Sequence, residues 1–155
     1  MDDRFFRNVM GSFATGITVI TTEVKGTSHG MTANAFVSVS LNPKLILVSI
    51  DKRAKMLGFL QESKRFAVSF LASEQQAESM RFAGQKKDED PYIFERFSEL
   101  PVIKGALANV ACTVFNQVEA GDHVLFIGEV QDLQVKEGEP LLYFKGKYRE
   151  LKDLD

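Results

Sequence analysis

A long alternating segment and the extended partner that follows a three-residue turn leave this chain little choice of architecture. From Leu107 to Val118, the side chains of Ala108, Val110, Cys112, Val114, Asn116 and Val118 share one face, mostly apolar. After Ala120-Gly121-Asp122, His123 to Val135 runs back as a long partner. Alternation with a period of two marks a strand with distinct faces, and so short a turn joins only antiparallel neighbours. Gly128 inside the second segment suggests a bulge or a close backbone approach. Glu137-Gly138-Glu139-Pro140 turns the chain again, ahead of a final strand at Leu141 to Phe144.

The first two thirds add further strands and some helices. Phe5, Phe6, Val9, Met10 and Phe13 recur at helical spacing behind Asp2 and Asp3, either of which can cap a helix, and Gly11 and Gly16 bracket its end. Ile17 to Glu23 reads as a strand, Lys25-Gly26-Thr27 as a turn, and His29 to Ser40 as one extended segment closing at Asn42-Pro43. Leu45 to Ile50 is an apolar run of strand length, expected to be buried on both faces. A helix from Ala54 to Gln61 carries Met56, Leu57 and Leu60 on one side. Phe66, Val68 and Phe70 then alternate with Ala67 and Ser69 as a strand with one core face. Ser73 and Gln76 have capping-box spacing ahead of a helix holding Ala77, Met80 and Phe82, and Gly84 to Asp90 reads as a loop.

Six or seven strands joined by hairpins, with helical inserts, predict a mainly β fold built as an antiparallel barrel. A doubly wound parallel sheet needs regular strand–helix alternation, which is absent, and no GxGxxG follows a first strand. A length of 155 residues predicts a single domain spanning 1–155. A formal net charge of -2 gives no long-range attraction for nucleic acid or anionic lipid. One cysteine excludes an internal disulfide, and with two histidines it leaves no set for a structural metal. The acidic opening Met1-Asp2-Asp3 and the lack of any apolar run near 20 residues predict a cytoplasmic protein without a membrane span.

Three places could carry chemistry. Gly30 to Ser40 has strand character, yet sets small and hydroxyl residues where bulky ones are usual. Small side chains would let a planar ligand reach backbone N–H and C=O groups, although a solvated strand face fits the same composition. Ser49-Ile50-Asp51-Lys52-Arg53-Ala54-Lys55 sets three cations at a helix start, where the dipole disfavours them and a bound anion would reverse the sign. A solvated basic turn is the other reading. His123 begins a strand at the hairpin and Tyr148 follows Lys145-Gly146-Lys147, each a ligand contact or simply a packing residue. Cys112, in register with Val110 and Val114, reads as a buried inert thiol. These residues by themselves reach a barrel with a site for a flat anion.

Their order carries a resemblance. Phe13-Ala14-Thr15-Gly16-Ile17-Thr18-Val19-Ile20-Thr21-Thr22, Gly30-Met31-Thr32-Ala33-Asn34-Ala35-Phe36 and Lys52-Arg53-Ala54-Lys55-Met56 come first. Phe66-Ala67-Val68, Phe82-Ala83-Gly84, Gly121-Asp122-His123 and Pro140-Leu141-Leu142-Tyr143-Phe144, with Gly146 and Tyr148, follow. Across nearly the whole chain this resembles the short flavin reductases with the FMN-binding split-barrel fold, the reductase components of two-component aromatic monooxygenases. Phe70 departs from the pattern, where many such relatives have a small or aliphatic residue. The resemblance implies NAD(P)H-dependent reduction of FAD or FMN, NADH favoured, with reduced flavin passed to an oxygenase such as a phenol or hydroxyphenylacetate hydroxylase. It implies flavin contacts at Thr32, Ala33, Asn34, Ala35 and Ser40, phosphate contacts through Ser49, Asp51, Lys52 and Lys55, and further flavin contacts at Phe82, Ala83 and Gly84. It implies nicotinamide contacts at His123, Gly146 and Tyr148, no obligatory catalytic side chain, and a homodimer. A flavin-binding electron-transfer or storage module on the same barrel is the alternative.

Overall fold

A computed structural model describes residues 1–85 and 90–155. Helix α1 (Asp3–Met10) starts where the Asp2 carboxylate accepts from the Arg4 N–H at 2.9 Å, and it ends at Gly11. None of its side chains is buried, so the stripe of Phe5, Phe6, Val9 and Met10 faces outward. Strand β1 (Thr15–Gly16) leads to β2 (Thr18–Val24) and β3 (Thr27–Ala33), hinged on Lys25 and Gly26, both at positive φ as a two-residue hairpin turn requires.

The extended segment expected from His29 to Ser40 is broken. β3 stops at Ala33, and β4 (Phe36–Leu41) starts after Asn34 and Ala35, where the Phe36 N–H donates to the Asn34 carbonyl at 3.0 Å. A turn at Asn42-Pro43, whose peptide is cis, leads to β5 (Lys44–Asp51). Burial on both faces was expected there. Instead Ile46, Val48 and Ile50 are buried while Leu45, Leu47, Ser49 and Asp51 are half-buried. Helix α2 (Lys55–Ser63) buries Met56 and Leu60 and closes on Lys64 in the left-handed region.

β6 (Arg65–Phe70) departs from expectation in the other direction, with Phe66, Ala67, Val68 and Ser69 all buried. Helix α3 (Gln76–Phe82) follows without the expected capping box. Ser73 bonds Glu74 instead, and the buried Gln75 amide accepts from the Ala72 N–H at 2.9 Å and donates to the Lys104 carbonyl at 2.8 Å. Of the loop expected at Gly84 to Asp90, residues 86–89 lie outside the described residues. A hairpin unforeseen in the sequence, β7 (Glu95–Phe97) and β8 (Leu100–Val102), supplies the Leu100 and Val102 that cover the second face of β6.

β9 (Ala108–Ala120) and β10 (His123–Val135) form the expected hairpin, with Ala120 opposite His123. Gly128 does both things expected of it. The register shifts between Ile127 and Gly128, and a Cβ there would sit 2.7 Å from Phe66 Cζ. The apolar face expected along all of β9 is buried at Val110 and Cys112, Val114 packs half-buried against the core, and Asn116 and Val118 are exposed. The Cys112 thiol is pushed up to about 12 by burial, which keeps it protonated and inert. β11 (Leu142–Phe144) and β12 (Lys147–Arg149), hinged on Lys145 and Gly146 at positive φ, form a small sheet with β1.

The main sheet has the order β3-β2-β6-β9-β10-β5-β4, antiparallel throughout. Its two edge strands, β3 and β4, are consecutive in the chain. Laid flat, seven strands would hold the edges roughly 29 Å apart. The three peptide steps from Ala33 to Phe36 reach only about 11 Å. The sheet therefore curls until its edges meet at Asn34 and Ala35, giving an antiparallel split barrel. Ile20, Val48, Ile50, Phe66, Val68 and Phe126 fill its interior with Leu60 of α2. A second cluster of Ile17, Val19, Leu71, Ile103 and Leu141 lies on the opposite face of β2, beside the corner.

Candidate functional site

The barrel splits at the corner between β3 and β4. Asn34 and Ala35 are both exposed, and among the described residues no acceptor takes a hydrogen bond from either N–H. Three hollows meet at Asn34. The largest, about 690 Å³, runs under Phe13, Ala14, Gly16, Ala35 and Leu141 and is mostly apolar. One of about 290 Å³ lies between α1, Thr15 and Tyr143. The third, about 160 Å³, is lined by Thr32, Ala33, Ser79, Ala83, Tyr143 and Tyr148 among others. Hollows of this combined size, with few polar groups converging on apolar walls, suit a small molecule.

Hydrogen bonds fix the β3 side of the corner. Thr18 donates its hydroxyl to the Ala33 carbonyl at 2.7 Å, and Thr32 donates to the Ser79 carbonyl at 2.7 Å. The Ser79 and Tyr148 hydroxyls lie 3.0 Å apart, while the Tyr148 ring meets Tyr143 edge-on with centroids 5.5 Å apart. Gly146, at φ 75, makes the turn that brings Tyr148 here. Phe82 sits behind the wall rather than in the hollow. Its ring touches Gly30, where a Cβ would lie 2.8 Å away, and packs against Tyr92 and Phe94. Ala83 lines the smallest hollow, and Gly84, at φ 74, lies just beyond the helix end.

The basic segment lies on the β5 side. The Ser49 N–H donates to the Ala35 carbonyl at 3.3 Å, tying β5 to the corner. Asp51, two residues and about 7 Å further on, is in register with His123. Its carboxylate accepts from the Arg53 N–H at 2.8 Å and from the guanidinium at 3.2 and 3.0 Å, which hold its pKa down to about 2. His123 Nδ1 is 2.8 Å from Asp122 Oδ1, and Lys52 Nζ is 3.7 Å from Glu119. Lys55 opens α2, whose first turn holds no acidic residue and whose N-cap, Ala54, offers no side-chain bond. The start of α2 therefore keeps its positive character.

The structure thus brings Thr32, Ala33, Asn34, Ala83 and Tyr148 around one hollow, and Ala35 and Ser49 into contact. His123 stands with Asp51 and Lys52 on the β5 side, apart from Gly146 and Tyr148 on the β3 side. Ser40 lies at the far end of β4, about 16 Å along the strand from the corner. Phe70, set edge-on to Phe36 at 5.0 Å, lines the largest hollow. Thr15, Ser79 and Tyr143 are not expected as site residues from the sequence, and Arg53 is expected there only as one of three cations, not as the partner of Asp51. Ser79 had one signal, a serine within a helix, where its hydroxyl usually competes with the backbone. No group of three metal-ligating side chains occurs among the described residues.

Comparison with known proteins identifies the family. A family model described as a flavin reductase like domain matches residues 10–152. An NADH-dependent flavin reductase from a Rhodococcus species is 43% identical over 148 residues, covering 94% of this chain and 84% of that one. The reductase component of 4-hydroxyphenylacetate 3-monooxygenase from Thermus thermophilus is 37% identical over 147 residues, covering 94% and 95%. The solved structure of the flavin reductase PheA2 superposes with a TM-score of 0.96 at 59% identity, covering 99% of this chain and all of that one. The chain belongs to the flavin reductase like domain family.

Proposed function

We propose that this protein oxidises NADH, in preference to NADPH, reduces FAD or FMN, and passes the reduced flavin to a separate monooxygenase. The observation that carries the reading is the Asn34–Ala35 corner, with amides lacking protein acceptors, slim neighbours and an apolar hollow beside it. Those features fit a flat ring with a polar edge, and the basic start of α2 fits an anionic tail. The 43% identity to an NADH-dependent flavin reductase, and 37% to the reductase component of an aromatic hydroxylase, support the two substrates and the oxygenase.

Bound at the corner, flavin would supply the acceptor for a hydride, two electrons with one proton, from reduced nicotinamide. The protein's share is alignment, holding the donor and acceptor atoms roughly 3–3.5 Å apart. Ala33, Ala35 and Gly16 let the ring reach the backbone, where the Asn34 and Ala35 amides donate to its polar edge. Thr32, already donating to Ser79, keeps only its oxygen lone pairs for a ligand. Ser49, Lys52 and Lys55 hold the tail phosphates with the first turn of α2. Asp51 would repel a phosphate, and the Arg53 guanidinium cancels that charge. Ala83 and Gly84 border the ring from α3, Phe82 supports it through Gly30, and Tyr148 from the β3 side and His123 from the β5 side orient the nicotinamide coenzyme.

The working unit in this reading is a homodimer. An eight-residue helix is unstable alone, yet α1 buries no side chain within the chain. Together with exposed Val37, Val39, Phe115 and Val118, its stripe supports packing against a second copy. No helix among the described residues is long and apolar enough to cross a membrane. We assign the protein to the cytoplasm, where NADH is supplied.

The test is NADH oxidation in air with FAD, FMN or riboflavin added in excess over protein. The expected result is many NADH consumed per protein, only when flavin is present. Tight flavin binding without NADH consumption would overturn this reading in favour of an electron-transfer or storage module.

A further inference from the structure

We propose that Thr15 is a flavin-binding residue, its hydroxyl forming a hydrogen bond with the polar edge of the ring. The inference rests on the flavin reading above and adds a contact from a different part of the chain. Thr15 Oγ1 is sealed from solvent and has no hydrogen-bond partner within the protein, alone among the buried side-chain polar atoms of the described residues. The contrast with its neighbours is sharp. Thr18 donates to the Ala33 carbonyl, Thr21 to that of Pro101, Thr22 to that of Arg65 and Thr32 to that of Ser79.

An unpartnered buried hydroxyl is costly, and folded proteins rarely keep one. Valine has nearly the same shape and would fill this position without that cost. The residue's position gives the hydroxyl a use, since a turn of the side chain about χ1 would carry it from its sealed place to a hollow. Thr15 lines both the 690 Å³ hollow and the adjoining 290 Å³ one, and Asn34 is the other residue with an uncommitted polar side chain that lines both. Thr18, which also lines the larger hollow, has its hydroxyl already engaged. Two uncommitted polar side chains on a mostly apolar wall are how such sites fix a ligand's orientation. Strand pairing of Thr15 with Tyr143 fixes the backbone from which the side chain projects.

This role predicts effects of opposite sign on the two states of the protein. In Thr15→Val, flavin binding weakens about three- to tenfold, the range expected for one neutral hydrogen bond. The flavin-free variant melts at or above the wild-type temperature, because the unpartnered hydroxyl is gone. Thr15→Ser, which keeps the hydroxyl, binds flavin within about twofold of wild type. Fluorescence titration with FAD and thermal unfolding of the flavin-free protein read both quantities. Wild-type flavin affinity in Thr15→Val would overturn the proposal while leaving the functional reading intact. A flavin-free Thr15→Val that melts lower, with flavin affinity unchanged, would overturn it in favour of a structural bond to a second copy. A wild-type protein with no flavin affinity would defeat both.

Discussion

Ser79 and Tyr148, 69 residues apart in the chain, meet hydroxyl to hydroxyl at 3.0 Å. Ser79 is only 2% exposed, and its carbonyl also receives the Thr32 hydroxyl. One buried residue of α3 therefore ties β12 to β3 across the smallest hollow. If Tyr148 orients the nicotinamide, Ser79→Ala and Tyr148→Phe should each raise the KM for NADH about threefold and leave flavin affinity nearly unchanged. The double variant should be no worse than either single one, since both remove the same bond. Steady-state kinetics check this, and an unchanged KM in both single variants removes Tyr148 from the nicotinamide site.

Lys55 stands exposed at the uncapped start of α2. Lys55→Ala should weaken FAD binding several-fold at low salt and much less at high salt, as expected for an exposed charge facing a phosphate. Titrations at two ionic strengths decide it. Equal affinity in variant and wild type at low salt excludes a phosphate contact.

The Asp51–Arg53 pair makes a pH prediction with a definite sign. Arg53 holds the Asp51 carboxyl down to about 2, below its ordinary value of 3.8. A carboxyl depressed in the folded state stabilises the fold above its ordinary value and loses that contribution as pH falls toward 2. Arg53→Ala should return the Asp51 titration toward 3.8, so the variant lacks this contribution at neutral pH and loses less stability than wild type as pH falls from about 4 to about 2. Carbon-detected NMR of the carboxyl group measures it directly, and a variant still titrating near 2 would show that another group holds the charge.

Gly128 tests the packing of the barrel. An added Cβ would lie 2.7 Å from Phe66 Cζ and 2.9 Å from Cys112 Cβ, both fully enclosed. Gly128→Ala should destabilise the fold by about 1–3 kcal/mol, the usual cost of overpacking a well-filled core. Denaturant unfolding gives the number, and an unchanged midpoint would mean the core there is loosely packed.

Much of this architecture was legible in the sequence because local chemistry agreed with tertiary structure. The β9–β10 hairpin has an alternating first strand and a Gly-Asp turn, and Gly128 announced its own bulge. The break at Asn34–Ala35 had no comparable sign. Barrel closure imposes it, and a continuous strand fits the same residues. The β7–β8 hairpin was hidden for a related reason: it turns on Ser98 and Glu99 at positive φ, where glycine or asparagine is usual. At the site, the small residues from Thr32 to Ala35 stood out by composition. Thr15 and Ser79 did not, because what singles them out is a missing bond and a partner far along the chain. The Arg53 bond to Asp51 was also missed, although the two are close in sequence, since a basic run says nothing about which cation turns back on a carboxylate.

The central claim is that this chain passes a hydride from NADH to flavin at the Asn34–Ala35 corner. The most direct measurement mixes the protein, FAD and NADH without oxygen and follows the visible absorption of the flavin. The account predicts that the absorption bleaches as one NADH is consumed per flavin, and that protein without added flavin leaves NADH unchanged. Flavin that stays oxidised beside unconsumed NADH, in protein shown to bind both, would contradict it.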